Sequence, residues 1–137
     1  MEFKNTKQKL TEEEFNQFVN KYNLELPISY KNHMMIFNGG KPVLNYFEGK
    51  GIHYFHSIKH GQFGTLEDVL NKIGNILPDN FFPFAYDGGG NQFCISLNKH
   101  DYGKVYFCAL DVGDVRPLFL ADSFEVFLNE LNEEEDY

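Results

Sequence analysis

Residues 81–110 read FFPFAYDGGGNQFCISLNKHDYGKVYFCAL. Three apolar, aromatic-rich runs, 81–86, 92–97 and 104–110, are separated by Asp87-Gly88-Gly89-Gly90-Asn91 and by Asp101-Tyr102-Gly103. The runs alternate with a period of two and the joints carry turn chemistry, so an antiparallel meander is predicted. Pairing residues whose numbers sum to 202 sets Phe93 against Ala109, Ile95 against Phe107 and Leu97 against Val105, all on one face. A one-residue slip would set Ile95 against Tyr106 or Cys108 and mix the faces. This register places Cys94 opposite Cys108. In the preceding hairpin a sum of 177 sets Phe84 against Phe93 and Phe82 against Ile95, with Gly88-Gly89 as a tight primed turn.

Working outward, the period changes to that of a helix. Thr11 and Glu14 fit a capping box, and Phe15, Phe18, Val19 and Tyr22 recur on one helical face. A second helix is expected from Pro27 to Gly39-Gly40, with Tyr30, Met34 and Phe37 as its apolar stripe. A third runs from its cap Thr65 to about Ile76. A last one follows Asp122-Ser123, with Phe124, Phe127, Leu128 and Leu131 facing inward. Residues 43–47, 52–55 and 117–121 complete the strands, the first two about a Gly49-Lys50-Gly51 turn. The expected fold class is α+β: a single antiparallel sheet of about six strands flanked by N-terminal, middle and C-terminal helices. One domain spans 1–137, with 132–137 a loose acidic tail.

The chain has 137 residues with 15 Phe, 8 Tyr and no Trp, which calls for a Phe-rich core and argues against intrinsic disorder. No apolar run approaches the ~18–20 residues that span a membrane. The charged N-terminus is unlike a secretory signal, and two cysteines fit a reducing, cytoplasmic setting. The net charge of −8 is unevenly placed. Residues 1–99 hold ten lysines and ten acids and sum to zero. Residues 100–137 hold Lys104, Arg116 and ten acids, and carry the whole −8. Such a surface repels nucleic acid and attracts a basic partner.

Each candidate site has a plainer reading beside it. The Asp87–Asn91 loop could cradle phosphate, but it leads into a strand and not into a helix N-terminus, so a structural turn is expected. His53, His56 and His60 have metal-like spacing only on a helix; on the expected strand, residues three apart point to opposite faces, and no metal site is expected. Cys94 and Cys108 are expected to be reduced cross-strand neighbours. Asp87, Asp101, Asp111 and Asp114 occupy turns, where Asp bonds the backbone two residues on. No catalytic residue and no cofactor site is read from the chain. The last helix breaks a local rule: Glu125, Asn129, Glu130 and Glu133 face outward, with Glu134, Glu135 and Asp136 following, and acids at a helix C-terminus oppose its dipole.

Four segments in order carry a family resemblance: Leu26-Pro27-Ile28-Ser29-Tyr30 with Phe37-Asn38-Gly39-Gly40; Phe82-Pro83-Phe84-Ala85 with Asp87–Asn91 and 93–97; Gly103–Phe107; and Ala121–Leu128. The chain resembles the SUKH superfamily, the Smi/Knr cell-wall assembly regulator type, from about Leu10 to Leu131. The resemblance implies one antiparallel sheet flanked by helices, and a binding protein. Bacterial members are mostly predicted immunity proteins that neutralise toxins, often nucleases, in the cytosol; fungal relatives regulate cell-wall synthesis. It implies structural roles for Pro27, Gly39, Gly40, Asp87, Gly90, Asn91, Asp122 and Phe124, and no catalytic residue.

The expected function is therefore an immunity protein, not an enzyme, that blocks a basic toxin domain stoichiometrically. Asp111, Asp114, Glu125, Glu130 and Glu133 are the expected contributors to partner binding. The alternative is a regulatory adaptor that binds a host protein without a toxin. A small hydrolase would require a concave pocket holding a perturbed acid or nucleophile.

Overall fold

In the computed structural model, which describes residues 1–111 and 113–133, the chain runs β1 (Phe3–Lys4), α1 (Glu12–Lys21), α2 (Ile28–Ile36), β2 (Lys41–Pro42), β3 (Tyr46–Phe47), β4 (Lys50–Gly51), β5 (Tyr54–Phe55), α3 (Leu66–Ile73), β6 (Phe81–Tyr86), β7 (Gln92–Ser96), β8 (Val105–Cys108), β9 (Leu118–Ala121) and α4 (Phe124–Asn129). Strands β5 to β9 form an antiparallel sheet in sequence order, so the class is α+β. The sheet has five strands and not six. The expected strand over 43–47 reduces to β3, which folds back on β4 through Glu48 and Gly49, both with positive φ. The turn thus sits one residue earlier than Gly49-Lys50-Gly51, because Glu48-Gly49 takes up the left-handed geometry of a two-residue hairpin. A second ribbon pairs β1 with β2.

Middle strand β7 is buried along its length. One face packs Phe82, Phe84, Phe93, Ile95 and Val105 against Phe15 and Phe18 of α1, Tyr30 and Met34 of α2, and Phe124 and Phe127 of α4. The aromatic rings meet mostly edge to face: Phe84 lies 5.2 Å from Phe124 and 5.4 Å from Phe127, centroid to centroid. On the other face Cys94 and Cys108 form a smaller cluster with Leu77, to which Ile73, Phe81, Leu110 and Val115 add cover.

Both hairpin registers differ in part from expectation. The first follows the sum of 177 from Phe81↔Ser96 to Pro83↔Cys94, then slips at Phe84 to Ala85↔Phe93 and Tyr86↔Gln92. Pro83 has no N–H to give the ladder, and a bulge beside it is the usual remedy. The Asp87–Asn91 connection closes by Asp87 N–H to Asn91 O and Gly90 N–H to Asp87 O, with φ +84° at Gly90. It is a three-residue loop ending on a left-handed glycine, not a two-residue Gly88-Gly89 turn. The second hairpin pairs Phe93 with Phe107 and Ile95 with Val105, two units below the expected sum. Leu97 does not face Val105; its N–H bonds Asn80 O on the β6 side, and a single 3₁₀ turn over Lys99–Asp101 takes up the slack before β8. A shift of two keeps every side chain on its expected face. It does move Cys94 opposite Tyr106 and Cys108 opposite Gln92, so the thiols are diagonal neighbours, both free.

Candidate functional site

Helix α4 starts on Ser123, whose Oγ accepts from Val126 N–H at 3.1 Å. Phe124 and Phe127 point into the core, so Glu125, Asn129 and Glu130 are left exposed. The helix stops at Asn129. Leu131 turns inward, and Asn132 exchanges two backbone hydrogen bonds with Tyr46, at 2.9 and 2.8 Å. The segment from 132 therefore does not begin as a loose tail: Asn132 is tied to β3, which fixes Glu130 and Glu133 at the C-terminal end of α4. Residues 134–137 of that expected tail lie outside the described residues.

Asp111 and Asp114 are exposed in the connection between β8 and β9. Asp114 Oδ2 accepts from Arg116 Nε at 3.3 Å, while Lys104 Nζ reaches Asp122 Oδ1 at 4.0 Å. Both cations of the C-terminal region are thus engaged locally. Asp111, Glu125, Glu130 and Glu133 have no ion pair among the described residues. The five acids form two groups, one on the β8–β9 connection and one on α4, separated along the chain by strand β9.

Sequence reasoning missed the apolar surface between and beside these groups. Leu118 and Phe119 of β9 are each about half exposed. A groove of about 270 Å³ lies among Met1, Glu2, Pro42, Val43, Leu44 and Leu131, next in the chain to Glu130. The signal for β9 was present: Leu118-Phe119-Leu120 is a run of large apolar residues, and a strand at a sheet edge cannot bury both of its faces.

The other candidates make contacts within the fold. Asp87 Oδ1 accepts from the N–H groups of Gly89 and Asn91, each at 2.9 Å, and Oδ2 accepts from Asn91 Nδ2 at 3.0 Å. The loop's donors are taken by its own carboxylate, which leaves no cradle for phosphate. Asn91 Oδ1 in turn accepts from Leu110 N–H, tying the loop to the end of β8. Gly39 and Gly40 have φ of +74° and +97°, and a Cβ on Gly40 would stand 2.6 Å from the Lys4 carbonyl. Pro27 is the N-cap of α2, and Phe124 is a core residue.

The three histidines are not brought together. His53 meets Tyr54 and Tyr86 edge to face at the surface, His56 is buried with Nε2 2.8 Å from Gln92 Oε1, and His60 Nε2 lies 3.0 Å from Glu14 Oε2. No group of three His, Cys, Asp or Glu suited to a metal ion occurs among the described residues. Burial raises the Cys94 thiol well above its usual range, far from the thiolate that a nucleophile requires. Asp101 is a buried carboxylate held by Ser96 Oγ at 2.5 Å and Tyr106 hydroxyl at 2.6 Å. Burial works to raise its pKa, but these two donors, with His100 and Lys104, outweigh it and hold the carboxyl below the usual range. Among the described residues no helix is long and apolar enough to cross a membrane.

The chain matches the model of a known family, the SMI1 / KNR4 family (SUKH-1), over residues 9–130. No curated protein matches it significantly.

Proposed function

The chain belongs to the SMI1 / KNR4 family (SUKH-1), and from that membership we propose that it is an immunity protein acting in the cytosol. It binds a toxin domain, a nuclease in this reading, and blocks it by occupying the basic cleft that receives nucleic acid. It transforms no substrate. The observation that carries the reading is the acid surface of Asp111, Asp114, Glu125, Glu130 and Glu133, exposed and largely uncompensated on a chain whose residues 1–99 are neutral overall. Acids crowded at the end of a helix cost stability, and a local cost without local return points to use elsewhere. Opposed charge on two proteins raises their association rate and fixes their orientation.

The test is co-expression with the toxin domain encoded by the neighbouring gene. Cells making both proteins are expected to grow, cells making the toxin alone to die, and a one-to-one complex to be recovered by gel filtration. A neighbour with no toxic product, or a toxic one that this chain neither binds nor blocks, overturns the reading in favour of an adaptor for a host protein.

A further inference from the structure

Strand β9 is an open edge of the five-stranded sheet: it pairs with β8, and no strand lies beyond it among the described residues. The opposite edge, β5, is partly covered where Phe55 bridges Gly40. An open edge presents unpaired N–H and C=O groups and is a template for an added strand. Successive strand residues point to opposite faces, so the exposure of Leu118 (51%) and Phe119 (49%) puts apolar surface on both sides of this edge. The pairing Val105↔Ala121 followed by Tyr106↔Phe119 leaves Leu120 as a bulge residue, and Leu120 and Ala121 are both buried. The apolar side-chain surface of the edge thus lies at its Leu118 end.

We infer that β9 receives an extended, cationic segment of the partner, which adds to the sheet as a sixth strand. The choice of occupant follows from charge. Asp111 and Asp114 precede the strand; Asp122 and Glu125 follow it; all four are exposed. Arg116 engages Asp114 and Lys104 lies beside Asp122, with its ammonium 5.7 Å from the Phe119 ring. One acid at each end, Asp111 and Glu125, is left with no ion pair among the described residues. A second copy of this chain fits badly, because an antiparallel self-pair would set the Asp114 end of one β9 against the Asp122 end of the other. The four strand residues span about 13 Å at ~3.3 Å each. A segment that complements them carries Lys or Arg about four to six residues apart, with β-branched or apolar residues between. Main-chain hydrogen bonds then supply affinity, and the end charges supply specificity. That the segment comes from a toxin rests on the function proposed above; the edge itself does not.

The probe is a capped peptide, Lys-Val-Thr-Val-Lys, titrated into ¹⁵N-labelled full-length protein. Amide shifts are expected to concentrate over 117–122. The peptide Glu-Val-Thr-Val-Glu is expected to bind at least tenfold more weakly, and an alternately N-methylated version of the first not at all. Leu118→Asp/Phe119→Asp is expected to abolish the shifts; Leu118→Thr/Phe119→Thr, which keeps strand propensity, is expected to weaken them severalfold with the fold intact by circular dichroism. Shifts elsewhere, no shifts, equal binding of the acidic peptide, or a concentration-dependent dimer through β9 overturn the inference. So does a folded Leu118→Asp/Phe119→Asp variant that still protects cells from a toxin the wild type neutralises. A wild type that binds the peptide yet protects against nothing overturns the immunity reading and leaves the edge standing.

Discussion

His33 sits in α2 inside a cage of four aromatic rings, with centroids of Phe3, Phe37, Phe55 and Phe124 at 4.9 to 5.5 Å. Its Nε2 is buried and has no hydrogen-bond partner among the described residues. Burial pushes its pKa down to about 4 from 6.5, since a desolvated imidazolium is disfavoured. As pH falls below 6.5 the unfolded chain takes up the proton first, so stability is lost between pH 6.5 and 4 and levels off below. At 1.36 kcal/mol per unit the loss is about 3 kcal/mol. Urea titrations at pH 7.5 and pH 4.5 should show it, and His33→Leu should remove most of the difference. His56, lowered by burial, slopes the same way. Glu14 acts in a lower window. The Thr11 N–H and Lys59 hold its carboxyl at about 2, so its contribution is present above pH 4.5 and lost as pH falls towards 2. Asp101 is the other demanding residue: Asp101→Asn leaves the Ser96 and Tyr106 hydroxyls facing a neutral amide. It should cost about 2 kcal/mol in thermal or urea unfolding, since hydrogen bonds to charge are worth ~1.5–3 kcal/mol each.

At the scale of elements, α1 offers a clean test because its capping box is complete. Thr11 Oγ1 accepts from Glu14 N–H at 3.1 Å, and Glu14 Oε1 accepts from Thr11 N–H at 2.9 Å. Thr11→Ala should lower stability by about 1 kcal/mol, read as a drop in melting temperature with the spectrum unchanged. Gly40→Ala should cost more, because the left-handed φ and the Lys4 carbonyl both oppose a Cβ. It should loosen the β1–β2 ribbon, seen as faster amide exchange there. Elements whose apolar period runs long were legible in the sequence: α1, α4 and the strands of 81–108 all occur where periodicity put them. Pairing was less legible, because a proline, a 3₁₀ turn and a glycine loop each shift a ladder by a residue or two, and apolar alternation is blind to shifts of two. The sixth strand failed for a similar reason. Glu48 adopting positive φ at 47° is not something its residue type announces.

For the whole molecule, the charge split was legible as plain counting, whereas the surface it decorates was not. The run Leu118-Phe119-Leu120 marked β9 as apolar on both faces, but nothing in the order of residues said that Asn132 would pin the end of α4 to β3. With that frame the electrostatic reading can be tested without disturbing the fold. Glu125→Lys/Glu130→Lys/Glu133→Lys moves the net charge from −8 to −2. All three side chains are exposed. Reversal at Glu130 favours the helix dipole by ~0.3–1 kcal/mol, and reversal at Glu125, in the first turn, costs a similar amount. The melting temperature should therefore stay within a few degrees. Association with a basic toxin domain should slow by tenfold or more at low salt, with dissociation little changed, because long-range attraction acts on encounter more than on the docked complex. Raising ionic strength to about 0.5 M should bring the two rates together, as the screening length falls below ~5 Å. Stopped-flow measurements across that salt range decide the matter: a variant that associates as fast as the wild type at low salt removes steering by this acid surface from the mechanism.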